Sequence, residues 1–129
     1  MKLISITALF FLSLSFSCKK EKKENCESYL EITKVSISPA SNVTNSIIFN
    51  LDAYGPNLCY SFKQLNISKT GDKSYDIKVI AGVPCKPTVC AQALYQINPT
   101  GTISAVTAGT YTLRFYNGSS LFTQLTVTI

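Results

Sequence analysis

Five cysteines, Cys18, Cys26, Cys59, Cys85 and Cys90, are the residues of this 129-residue chain with the most definite chemistry. A thiol can be acylated, can ligate a metal as thiolate, or can be oxidised to a disulfide. Metal ligation would rest on Cys85-x4-Cys90 without help from histidine, because the chain has none and its single Met is the first residue. The lack of histidine also removes the familiar catalytic triads and dyads and most catalytic zinc sites. The carboxylates that remain are Asp52, Asp72 and Asp76 in the body of the chain, with Glu27 and Glu31 near its start. Asp72 falls in a turn and Asp76 alternates outward from Ile77, so both read as solvated surface. No Gly-rich phosphate loop, nucleophile elbow or calcium loop occurs. The expectation is a protein that is not an enzyme and has no cofactor and no metal site.

The cysteine count is odd, and Cys18 stands apart from the other four. It follows a short basic start (Lys2) and an uncharged run from Leu3 to Phe16. That run is 14 residues long, whereas a spanning helix needs roughly 20, so residues 1–17 read as a secretion signal to be set outside the fold. Ser15 and Ser17 suit ordinary signal peptidase, but that route would leave one unpaired thiol in an oxidising compartment. The Ser17-Cys18-Lys19-Lys20 junction resembles the signals of Gram-negative bacterial lipoproteins. Leu14 lies four residues before the cysteine instead of the commoner three, and Phe16 is bulky for such a site. The resemblance implies a lipidated, palmitate-bearing Cys18, a signal peptide over 1–17 and a charged tether over 18–25. It also implies a membrane held as partner through the acyl chains, each buried CH₂ contributing about 0.8 kcal/mol. Lys19, where some inner-membrane lipoproteins carry Asp, implies the outer membrane, with the leaflet left open.

Charge is concentrated before the body of the chain. The whole is +5, yet from Asn25 onward seven basic residues stand against five acidic ones. Four Lys and two Glu fill 19–24, a run that reads as a solvated spacer with some attraction for anionic headgroups. No Lys/Arg cluster remains on the body, which argues against nucleic acid as a partner.

From Cys26 to Ile129 the pattern is β throughout, rich in Thr, Ile, Val, Tyr and Phe and without a convincing 3.6 period. Seven runs are separated by turn residues: 30–38, 46–53, 59–67, 74–80, 89–97, 110–116 and 121–129, with a weak further run through Ile103 and Val106. In the third, Tyr60 and Phe62 share one phase while Leu65 and Ile67 take the other, which predicts a bulge. Gly55-Pro56-Asn57, Thr70-Gly71-Asp72, Val83–Thr88 and Asn117-Gly118-Ser119 are the main turns. Asn-x-Ser/Thr triplets at Asn42, Asn66 and Asn117 are chance matches in a bacterial lipoprotein. Seven short strands in about 100 residues predict an all-β, seven-stranded antiparallel immunoglobulin-like sandwich over 26–129. Tyr111, opening the sixth run after Gly109, sits where a tyrosine corner is expected. Gly109-Thr110-Tyr111-Thr112-Leu113 resembles a stretch common in bacterial Ig-like modules.

With strands alternating up and down, Cys26, Cys59, Cys85 and Cys90 gather at one end of the sandwich, the end that the tether enters. Cys59–Cys90 with Cys26–Cys85 is the favoured pairing, because Cys59 and Cys90 both lie out of phase with their strands' core residues. Cys85–Cys90 with Cys26–Cys59 stays open, since a short gap closes cheaply. Loops at that end, with Tyr54, Asn57, Lys86 and Asn117, are the candidate surface for an envelope protein or glycan. The alternative is β-augmentation on the last strand.

Overall fold

The computed structural model describes residues 25–41, 45–86, 88–104 and 106–129. Strict alternation of apolar and polar residues lays one face of each long strand inward. Nine strands result: β1 (Asn25–Tyr29), β2 (Glu31–Ile37), β3 (Ile47–Gly55), β4 (Ser61–Gly71), β5 (Ser74–Pro84), β6 (Tyr95–Ile97), β7 (Thr100–Ile103), β8 (Thr110–Asn117) and β9 (Ser120–Thr128). They form two sheets. In one, β5 has β4 along one edge, while β1 and β8 share its other edge and β9 follows β8. In the other, β3 is flanked by β2 on one side and by β6 and β7 on the other.

Ile47, Phe49, Leu51 and Ala53 of β3 meet Ile77, Val79 and Ala81 of β5 and Tyr111, Leu113 and Phe115 of β8 in the core between the sheets. Phe49 and Phe115 pack edge to face, with ring centroids 5.4 Å apart, the arrangement that the ring quadrupoles favour. The Phe49 ring lies directly on Gly101, where an added Cβ would stand 2.1 Å from its Cζ. The residue opposite Phe49 on β7 therefore has to be glycine. Tyr111 is buried, and its hydroxyl donates to the Thr107 carbonyl at 2.7 Å. A hydroxyl bonded back to the chain a few residues upstream is the geometry of a tyrosine corner.

Three features differ from the sequence expectation. The strands number nine, not seven, and the sandwich is not wholly antiparallel, because β5 runs parallel to β8 over Ser74–Ile77. The first run, 30–38, corresponds to β2, and an unexpected strand, β1, precedes it; Leu30 between them is fully buried and donates its N–H to the Val79 carbonyl at 3.0 Å. Residues before it pair with β5 in one sheet and residues after it with β3 in the other. β1 has no apolar alternation to mark it. The fifth run shrinks to Tyr95–Ile97, since Ala91 and Ala93 offer too little side chain to hold a strand on a core. The weak run becomes β7. The phase change in the third run is a register shift between Phe62 and Gln64, so a bulge is present there.

Candidate functional site

The end of the sandwich where β5 leaves and β1 and β4 enter carries both disulfides. Cys26 lies opposite Val83 and Ser61 opposite Gly82, which brings the flanking cysteines together. Cys26 is bonded to Cys85 with Cα atoms 4.9 Å apart, and Cys59 to Cys90 at 5.4 Å. Asn57 folds the loop before β4 through its own side chain, whose Oδ1 accepts the Cys59 N–H at 3.0 Å. The Leu58 N–H donates to the Ala91 carbonyl at 3.1 Å, joining that loop to the segment after Cys85. Between them is an open cleft of about 270 Å³, lined by Asn57, Tyr60, Pro84, Lys86 and Thr88 beside the Cys59–Cys90 bridge.

A second, larger cleft of about 360 Å³ lies on the outer face of the sheet built on β3. Asn50, Asp52 and Tyr54 alternate outward from the buried Phe49, Leu51 and Ala53, and β6 presents Gln96 opposite Tyr54. Asn98 donates its Nδ2 to Asp52 Oδ1 at 2.6 Å. On the other side, a register shift in β2 sets Thr33 over the same strand, with its hydroxyl donating to the Asp52 carbonyl at 3.3 Å. Tyr54 donates its hydroxyl to Glu31 Oε2 at 2.6 Å. That hydrogen bond, with lesser contributions from burial and from the carboxylate charge, raises the Tyr54 pKa above its ordinary 10.0. Leu94 and Ile97 add an apolar wall. The cleft therefore offers a carboxylate, two amides, a hydroxyl and a phenol ring, a set that suits a neutral polyhydroxylated or peptide-like ligand.

The four expected loop residues are not brought to one place. Asn57 and Lys86 line the cleft at the disulfide end, whereas Tyr54 lies on β3 and lines the larger cleft. Asn117 is a structural clamp: its Oδ1 accepts the Ile32 N–H at 2.7 Å and its Nδ2 donates to the Ile32 carbonyl at 3.2 Å. It holds the β8–β9 hairpin against the start of β2, which takes its amide out of any ligand surface. Gly118, at φ 61, makes the sharp turn between Asn117 and Ser120.

The remaining carboxylates do not converge. Asp76 pairs with Arg114 Nε at 2.8 Å across the parallel strands, and Glu27 pairs with Lys63. Among the described residues no three His, Cys, Asp or Glu side chains group as metal ligands. Cys18 and the tether up to residue 24 lie outside the described residues. The sequence marks Asp52 as one of the chain's few carboxylates but gives it no partner; its meeting with Asn98 depends on the β3–β6 pairing, which joins positions 46 residues apart. The polar outward phase of β3 was the one signal present.

No curated protein and no solved structure matches the chain. A family model for the ORF11 beta-sandwich domain matches residues 49–129. That span takes in β3 from Phe49 through β9, the Cys59–Cys90 bridge, and Asp52, Gln96 and Asn98 of the larger cleft. Spanning well over half of the sequence, the match makes this chain a member of the ORF11 beta-sandwich domain family.

Proposed function

We propose that the chain is a cell-envelope lipoprotein whose sandwich is a non-catalytic binding module for an envelope glycan or protein. The supporting observation is the cleft on the outer face of β3, where Asp52 and Asn98 are hydrogen-bonded to each other beside Tyr54 and Gln96. Sugar hydroxyls and peptide groups both give and take hydrogen bonds, and a carboxylate–amide pair offers both functions at fixed geometry. Hydrogen bonds to a charged group contribute about 1.5–3 kcal/mol each, so loss of Asp52 is expected to weaken binding about tenfold or more. An immunoglobulin-like kinship belongs to the same reading and is supported by the Tyr111 corner; the parallel β5–β8 pair distinguishes this sandwich from the all-antiparallel arrangement.

A second reading, β-augmentation, is favoured by the last strand. Among the described residues β9 pairs with β8 alone, and Ser120–Thr128 contains no charge and no proline, although a register shift passes over Phe122 near its start. Natural edge strands are usually blunted by such residues or by bulges. The edge strand β4 follows that rule, with Lys63, Lys69 and two register shifts. An edge without charge or proline, as β9 offers beyond its one register shift, is a template for a partner's strand.

One experiment separates the readings. A photo-crosslinking residue replaces Gln96 in the cleft or Thr126 on the edge of the full chain in its own cells. Adducts from position 96 that disappear with Asp52→Ala support the cleft. Adducts from position 126 alone support augmentation, and adducts from neither position contradict both.

A further inference from the structure

We infer that the disulfide-bonded end of the domain is a membrane-contact surface, with Leu58 and Val89 entering the headgroup region of an anionic bilayer. This inference rests on the proposed acylation of Cys18. Leu58 is 51% exposed and Val89 99% exposed. They stand on the two loops that the Leu58 N–H joins to the Ala91 carbonyl and that the Cys59–Cys90 bridge fastens. The bridge and the hydrogen bond restrain both loops and so hold the two exposed side chains on one end of the domain.

Three observations point to a lipid surface as the occupant. The chain enters the fold at this end, with Asn25 opposite Pro84 and Cys26 bonded to Cys85. Eight residue-to-residue steps separate positions 18 and 26, so an acylated Cys18 holds this end within about 29 Å of the bilayer at full extension. The charge also fits. No Asp or Glu occurs between residues 53 and 71 or after Asp76, and the two acids nearest this end are engaged, Glu27 with Lys63 and Glu31 with the Tyr54 hydroxyl. Lys86 is exposed beside the tip, and the tether before it carries four lysines against two glutamates. Apolar residues flanked by basic ones are the composition of an interfacial contact. Two apolar side chains alone would bind weakly, but the tether makes the encounter intramolecular and so raises the effective concentration.

The chain lacks tryptophan, so Val89→Trp creates a single intrinsic probe at a position that packs against nothing. The full mature chain carrying it is reconstituted on vesicles of phosphatidylethanolamine and phosphatidylglycerol. Asp72→Trp, in the hairpin at the opposite end of β5, is the control. The expected result is flotation with the vesicles, a blue-shifted Val89→Trp emission quenched by brominated acyl chains, and no quenching of Asp72→Trp. Adding Leu58→Asp to the Val89→Trp chain should lose most of the quenching. Flotation with the two probes equally unquenched overturns the contact and leaves the anchor standing, freeing the tip for a protein partner. Failure to float overturns the anchor and the contact together.

Discussion

Tyr54 and Glu31 show how one hydrogen bond shapes the larger cleft. The phenol donates to the carboxylate at 2.6 Å, so the bond exists only while Tyr54 keeps its proton. Its pKa is raised first by that bond, then by burial and by the carboxylate charge. A group whose folded pKa exceeds its unfolded value stabilises the fold below the unfolded value, here 10.0, and loses that contribution as pH rises through the folded one. Tyr54 therefore favours the native state through neutral and mildly alkaline pH and stops doing so above its raised pKa. Carbon-detected NMR titration of the tyrosines should find Tyr54 ionising above the ordinary range. In Glu31→Ala it should return toward the ordinary value. An unchanged Tyr54 titration in that variant would remove Glu31 as the cause.

The elements that position the clefts are held as much by covalent bonds as by packing. β1 is polar and exposed apart from Ser28, and the bridge from Cys26 to Cys85 ties its start to the end of β5. The Cys59–Cys90 bridge does the same for a segment that has no strand between Pro84 and Tyr95. Closing loops of 59 and 31 residues should contribute about 4 kcal/mol each by loop-closure entropy. The double variant Cys59→Ser/Cys90→Ser is expected to lower stability by about 2–4 kcal/mol in urea melts. A change below about 0.5 kcal/mol, the ordinary range for surface substitutions, would show the bridge to be incidental. These are also the elements that the sequence disclosed least. β3, β5 and β8 could be read because Phe49, Ile77 and Leu113 each sit in a clean alternation that burial imposes. β1 could not, because an edge strand with both faces solvated has no apolar phase. The 89–94 part of the fifth run reads as strand in the sequence because Ala91 and Ala93 keep the phase without the bulk, whereas the strand itself is Tyr95–Ile97. The pairing of Asp52 with Asn98, and the clamping of Ile32 by Asn117, depend on contacts between distant positions that no local pattern encodes.

At the scale of the whole molecule, the sandwich separates its surfaces. The outer face of β3 carries the polar cleft, β9 exposes an edge without charge or proline, and the disulfide-bonded end carries the apolar tip where the chain enters. With Cys18 acylated, that tip faces the bilayer, while the cleft on the sheet face stays open to the surrounding compartment. In the proposed account the pre-organised loops would seat the domain and the sheet would bind the ligand. This division depends on the anchor, so the most direct test is the mass of the mature N-terminus of the protein isolated from its own membranes. The account predicts a chain beginning at Cys18 that carries the mass of its acyl chains. A chain that begins elsewhere, or an unmodified Cys18, would contradict it.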